Sequence, residues 1–188
     1  MAPASLRIRL ATEADLPAID AIYNREIAEG VATWDTTPWS AEQRLEWFRE
    51  HSHPGTVVLV VDLEAADGAV DAVAAFGYLA DYKARLGYRF TREDTLYVRP
   101  DRQRRGIGRA LLAALLDAAR ECEVHVVVAR IDATNAASIA LHRALGFEVT
   151  GEERETGHKF GAWRSLVQMQ IVLDSPELQA QRFRPLAP

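Results

Sequence analysis

Between residues 95 and 116 the chain runs from a short apolar strand (Leu96-Tyr97-Val98) through Gln103-Arg104-Arg105-Gly106-Ile107-Gly108 into a helix. That helix carries Ile107, Leu111, Leu112, Leu115, Leu116 and Ala119 on one face. A strand that feeds an amphipathic helix through a glycine turn needs a sheet to receive the helix's apolar face, so the chain is constrained to a mixed α/β class. Glycines let the backbone approach a ligand closely, and the first helical turn offers N–H groups without intrahelical partners at the positive end of the dipole. Arg99, Arg102, Arg104, Arg105 and Arg109 crowd the same stretch. Together they describe a site for a small anion such as a pyrophosphate. A dinucleotide fingerprint would need a third Gly or Ala where Leu111 stands, and no Gly-Lys-Ser/Thr of a P-loop occurs.

Composition narrows the partners. With 188 residues, 48% of them hydrophobic and 26% charged, the chain suits one domain and excludes wholesale disorder. A net charge of −5 argues against nucleic acid held by bulk charge, and a local arginine cluster in an acidic chain points to a small anionic ligand. No apolar run approaches the ~18 residues of a membrane span. The N-terminus shows no apolar core of a signal peptide, and the single cysteine, Cys122, makes no intrachain disulfide, so a cytoplasmic protein without a membrane partner is expected. Cys122 reads as a helix-end packing residue. His51 and His53 lack a matching carboxylate or cysteine pattern, so no metal is expected.

The order β-α-α-β-β-β-α-β-α-β-β follows from periodicity and punctuation. Residues 6–10 read as a strand, and Thr12 to Asp15 resembles a capping box before a helix with Leu16, Ile19, Ile22, Tyr23 and Ile27, stopped by Gly30. After an irregular link over 31–37, Ser40 and Gln43 box a second helix. Strands are predicted over 56–63 and 72–79, joined by a hairpin turn at Asp67-Gly68, and over 93–99, closed by Pro100. Helices are predicted over 106–121 and 135–145, the second stopped by Gly146, with strands over 124–131, 147–152 and 166–173. Residues 6–174 form the domain; 175–188 read as a loosely attached tail.

Gln/Arg-x-x-Gly-x-Gly/Ala between a strand and a helix resembles the acyl-CoA motif of the GNAT superfamily of N-acetyltransferases. A second stretch, Asn135-Ala-Ala-Ser138 to Leu141-His142 and Gly146-Phe147, is similar to the superfamily's Asn-x-x-Ala-x-x-x-Tyr-x-x-x-Gly-Phe helix, with His142 where Tyr is usual. That histidine narrows the resemblance to the phosphinothricin and methionine sulfoximine N-acetyltransferases. Similar segments include Ile22-Tyr23-Asn24, Thr33-Trp34, Lys83-Ala84-Arg85, Glu93 to Val98, and Gly157 to Trp163.

The resemblance implies a single-domain GNAT acyl-CoA N-acyltransferase fold and direct acetyl transfer from acetyl-CoA to the α-amine of a small amino-acid-like substrate, in a ternary complex and in a homodimer. It puts the general base at Glu93, otherwise a solvated strand-end charge like Asp94 beside it. It puts the cofactor along Leu96, Tyr97, Val98, Gln103, Arg104, Arg105, Gly106, Ile107, Gly108, Arg109, Asn135 and Ser138, with a Val98 N–H for the thioester oxygen. Substrate contacts fall at Trp34, Lys83, Arg85, Tyr88 and Thr95. His142 stays open between proton donor and packed core residue, and Asn135 between helix cap and pantetheine ligand. Arg92 replaces the family's usual Val next to Glu93, and a cation there is expected to lower the base's pKa. The alternatives are transfer to another amine, such as a polyamine, an aminoglycoside or a protein terminus, and a non-catalytic acyl-CoA sensor.

Overall fold

A computed structural model describes residues 5–51, 53, 55–64 and 70–173. The elements are β1 (Ser5–Leu10), α1 (Leu16–Glu29), α2 (Ala41–Glu50), β2 (Val57–Glu64), β3 (Val70–Asp81), β4 (Thr91–Val98), α3 (Ile107–Glu121), β5 (Val126–Asp132), α4 (Ala136–Ala144), β6 (Glu148–Lys159) and β7 (Ala162–Val172). The expected order is observed. The predicted turn at Asp67-Gly68 and the tail 175–188 lie outside the described residues.

The seven strands form one sheet in the order β1-β2-β3-β4-β5-β7-β6. Every neighbouring pair is antiparallel except β4 and β5, which run parallel. Each face of the sheet carries its own core. On one side Leu111, Leu112, Leu115 and Leu116 of α3 pack on Val61, Ala75, Val127, Ala129 and Ile131. On the other, Ile19, Ile22, Tyr23 and Ile27 of α1 and Trp47 of α2 pack on Val58, Val60, Phe76 and Tyr97. The alternation Val127–Ala129–Ile131 against Val126–Val128–Arg130–Asp132 therefore sorts β5 between the α3 layer and the α1 layer.

The caps explain where the helices begin. Ser40 Oγ accepts the Gln43 N–H at 3.2 Å and Gln43 Oε1 accepts the Ser40 N–H at 2.9 Å, which closes the expected box. At Thr12 the carboxylate of Asp15 accepts from both the N–H and the hydroxyl, at 2.8 and 2.9 Å, but the box closes on a 3-10 turn, Glu13–Asp15, with Pro17 opening the helix behind it. Asp15 also takes Arg9, whose guanidinium spans to Asp62; those bonds hold the Asp15 carboxyl at about 2.

Three expectations need correction. β6 runs to Lys159 and β7 starts at Ala162, so this hairpin is far longer than 147–152 and 166–173. β6 is an exposed edge strand, so its sequence lacks the apolar alternation that marks a strand. Its turn uses Phe160 (φ 53°) and Gly161 (φ 73°), the pair of positive φ values that a tight hairpin takes. Cys122 caps α3 but is exposed, not packed. Arg92 points away from Glu93: alternation buries it on the other face, where it donates to the Gly55 and Arg89 carbonyls at 2.7 and 2.9 Å.

Candidate active site

The site originates where two parallel strands part. β4 and β5 pair only at Thr91–Val126, Arg92–Val127 and Glu93–Val128. Beyond that point β4 follows β3 as far as Val98 and β5 follows β7 as far as Asp132, each held by its outer neighbour. The wedge between them is a cleft of about 810 Å³. Arg99 N–H donates to Ala74 O at 2.9 Å, which sets the phase of the β3–β4 ladder. Odd-numbered residues of β4 bond to β3, so the N–H groups of Leu96 and Val98 face the cleft. These are the donors that a carbonyl oxygen entering the wedge would meet.

One end of the cleft is the glycine turn. Gly106 caps α3 at φ 79°, a left-handed conformation that strains any residue with a Cβ, and it supplies no side-chain cap. The first intrahelical bond is Ala110 N–H to Gly106 O at 3.0 Å, so the N–H groups of Ile107, Gly108 and Arg109 remain for a ligand. Arg102, Arg104 and Arg109 line the cleft around them, and α3 has no acidic residue in its first turn. Gln103 Nε2 reaches back to the Val98 carbonyl at 3.3 Å and ties the turn to the strand end. Arg105 is exposed and is not among the lining residues. Free N–H groups, an open helix end and guanidiniums fit a diphosphate, and the unpaired edge of β4 fits an extended amide arm such as pantetheine.

The other end is assembled from several elements. Glu93 and Thr95 on β4 share a face with Arg130 and Asp132 on β5, and Trp34 from the loop after α1 closes over them. Trp34 Nε1 donates to Asp132 Oδ2 at 3.2 Å, while Arg164 grips Asp132 with two bonds of 2.7 and 2.6 Å. Burial works against ionisation of Asp132, but Arg164, Thr134 and Trp34 outweigh it and hold its carboxyl at about 2. The Trp34 ring lies so close to Gly157 of β6 that any Cβ there would overlap it. Lys159, 3% exposed, donates to the Thr33 carbonyl at 2.8 Å and the Glu26 carbonyl at 3.2 Å, which pins the Trp34 loop to the β6 hairpin.

Glu93 is half-buried at the floor of this end. Burial raises its carboxyl above the ordinary range; Arg130 opposes the shift, and Asp94 and Glu153 add to it. A carboxylate moved towards neutral pH is a better proton acceptor for an ammonium group.

On the opposite face of β4 the sequence reading missed a pair. Asp94 is buried, not solvated, and its Oδ2 lies 3.0 Å from His142 Nε2. His142 Nδ1 lies 2.8 Å from the Ser138 carbonyl, to which it donates, so both ring nitrogens are engaged. Burial pulls the imidazole's pKa down, but the Asp94 carboxylate and the Ser138 carbonyl outweigh it and the net shift is upward. The signal was present in strand alternation: Asp94 shares a face with Leu96 and Val98, not with Glu93.

A family model of the acetyltransferase (GNAT) family matches residues 19–147. The chain belongs to the GNAT family. It is 41% identical over 169 residues to the L-amino acid N-acyltransferase MnaT of Escherichia coli (strain K12), covering 90% of this chain and 95% of that protein. The L-methionine sulfoximine/L-methionine sulfone acetyltransferase of Salmonella typhimurium gives the same 41% over 169 residues, with the same coverage of 90% and 95%. Among solved structures, a GNAT phosphinothricin acetyltransferase from Sinorhizobium meliloti in complex with acetyl-CoA superposes with a TM-score of 0.82 at 36% identity, covering 91% of this chain and 89% of that one. The protein is thus a GNAT N-acetyltransferase with the GNAT fold.

Within that GNAT cleft the structure brings together Trp34, Glu93, Thr95, Leu96, Val98, Gln103, Arg104, Gly106, Ile107, Gly108, Arg109, Asn135, Ser138 and His142. Asn135 also caps α4, accepting the Ser138 N–H at 3.1 Å. Tyr97 touches the cleft while its ring packs edge-on to Tyr23 at 5.3 Å in the α1 core. Lys83, Arg85 and Tyr88 are not brought in: they sit on the loop between β3 and β4, outside the cleft lining, with Lys83 Nζ over the Tyr82 and Tyr88 rings. His51 Nδ1 is occupied by the Trp47 carbonyl at 2.8 Å, and the described residues hold no cluster of three potential metal ligands.

Proposed function

We propose that the enzyme transfers the acetyl group of acetyl-CoA to the α-amine of a small amino acid of the methionine sulfoximine, methionine sulfone or phosphinothricin type, in a ternary complex. The observation that carries the reading is the parted β4–β5 wedge, with a glycine-capped helix end at one mouth and a carboxylate of raised pKa at the other. Acetyl-CoA supplies the thioester. Its diphosphate lies on the N–H groups of Ile107, Gly108 and Arg109 with Arg104 and Arg109 beside it, and its pantetheine arm follows Leu96 and Val98 towards Asn135 and Ser138. Glu93 takes a proton from the acceptor ammonium, directly or through water. The freed nitrogen attacks the thioester carbonyl, and the Val98 N–H stabilises the oxygen as charge develops there. The C–S bond breaks as the adduct collapses, and the nitrogen's second proton passes to the departing thiolate or to water, leaving the amide and CoA. His142, with both nitrogens committed, positions Asp94 and α4 against β4.

The names of the relatives and the match across nearly the whole chain support the substrate class. The reading places the protein in the cytoplasm, where acetyl-CoA is available, as a homodimer; exposed Leu86, Phe160 and Trp163 are apolar side chains that a second copy would cover. An acetyl-CoA-dependent thiol-release screen tests the activity, with methionine sulfoximine, methionine sulfone, phosphinothricin and ordinary amino acids, and with polyamines and a peptide amine as controls. Turnover confined to the controls overturns the substrate class. Acetyl-CoA binding without transfer to any amine leaves a sensor instead of an enzyme.

A further inference from the structure

The acceptor end of the cleft holds a cation that the sequence reading passed over. Val128 pairs with Glu93 across the last joined rung of β4 and β5, and Arg130 follows two residues later on the same face, just past the parting. Glu93 and Arg130 line the cleft, and Arg130 is the cation whose charge acts on Glu93. Its Nη2 donates to Glu153 Oε2 at 3.1 Å; among the described residues its Nε and Nη1 make no hydrogen bond. Other basic groups near this end are committed. Arg164 spends Nε and Nη2 on Asp132, and Lys159 spends its ammonium on two carbonyls. Arg102, Arg104 and Arg109 belong to the segment at the helix end, and Lys83 and Arg85 lie outside the lining.

An α-amino acid carries its ammonium and its carboxylate on one carbon, so the group that receives the carboxylate must stand beside the base that receives the proton. Glu93 and Arg130 stand in that relation. We infer that Arg130 binds the acceptor's α-carboxylate and so selects free amino acids over amines whose adjacent carboxyl is absent or blocked. The inference rests on the amino-acid reading above and deepens it. Glu153 takes one of the two Nη2 hydrogens, so one edge of the guanidinium, Nη2 paired with Nε or with Nη1, stays open to a carboxylate as a fixed fork, which orients the α-nitrogen as well as binding it. Polyamines and peptide termini offer no such handle.

The test compares methionine sulfone with its carboxamide as acceptors for the full-length enzyme, by steady-state thiol release, in wild type, Arg130→Gln and Arg130→Lys. In Arg130→Gln the ratio of kcat/KM for the free acid to that for the carboxamide falls about 10–100-fold, mainly through KM for the acid. Arg130→Lys recovers part of the ratio, because the charge remains while the fork is lost. The KM for acetyl-CoA, read at the other end of the cleft, does not follow. Arg130 is partly exposed in a surface ion pair, so its replacement costs little stability; should the Gln variant fail to fold, the Lys variant carries the comparison. An unchanged ratio in both variants, or a ratio that collapses instead in a Lys83→Gln/Arg85→Gln double variant, overturns the role of Arg130 alone. A wild-type enzyme that acetylates no free amino acid overturns the functional reading itself, and this inference with it.

Discussion

The two mouths of the cleft are built in opposite ways. The diphosphate mouth is one contiguous stretch, Gln103 to Arg109, whose donors are backbone N–H groups freed by a glycine cap. The acceptor mouth gathers Trp34, Glu93, Thr95, Arg130 and Asp132 from three separate segments and depends on Gly157 and Lys159 from a fourth. A backbone-made site keeps its geometry as long as the local turn forms. A side-chain site assembled across the sheet keeps its geometry only while the strands, the Trp34 loop and the β6 hairpin hold their relative places. Changes at the two mouths should therefore separate in kinetics.

The largest separation is expected at Glu93. Glu93→Gln should lower kcat by about 10²–10⁴ with little change in the KM for acetyl-CoA. Because the base works deprotonated and burial raises its pKa, wild-type activity should fall as pH drops through a value above the ordinary carboxylate range, and the variant should lose that acid limb. A retained limb in the pH–rate profile removes Glu93 from the role.

Asp94→Asn comes next, and it tests the face that neither mouth uses directly. Removing one partner of this buried pair should cost about 3 kcal/mol, read as a lower midpoint in urea. His142 is raised in the folded state, so its contribution to stability is full below its unfolded value and is lost as pH rises through its folded value. In Asp94→Asn, NMR titration should find the imidazole pKa lower than in wild type, because the opposing carboxylate is gone; an unshifted titration contradicts the assignment.

Gly157→Val should act on the acceptor mouth from a distance. The added side chain displaces the Trp34 ring at a cost of about 1–3 kcal/mol, raising the KM for the amino acid while the KM for acetyl-CoA holds. Equal changes in both would mean that the mouths are mechanically coupled. The smallest effect belongs to Arg104→Gln, an exposed guanidinium at the diphosphate mouth: a rise of about 10-fold in the KM for acetyl-CoA, shrinking as salt increases. An equal loss at high and low salt would argue for a steric role.

Some of this was legible in the residues themselves. The glycine turn, the amphipathic helix behind it, the Ser40 box and the order of elements follow from rules that act within one or two helical turns, and the family motifs at 103–108 and 135–147 named the chemistry. Glu93 as the proposed base follows from its place in a segment that resembles the family's. The loop with Lys83 and Arg85 reads as a carboxylate site because its cations and aromatics are neighbours in sequence, and the structure puts that loop outside the cleft lining; Arg130, which lines it, reads in sequence as any charge within an apolar strand.

The sequence by itself determined which segments fold, where their caps fall and which face of each strand is apolar, since these depend on periods of about two or 3.6 residues. Only the tertiary structure decided that β4 and β5 part after Glu93, that Arg92 turns away from the base, that Asp94 meets His142 from 48 residues away, and that Arg130 stands beside Glu93. The physical reason is that strand pairing, not chain order, sets those neighbours. Two residues one step apart on a strand lie on opposite faces, while two residues 37 positions apart share one pocket wall.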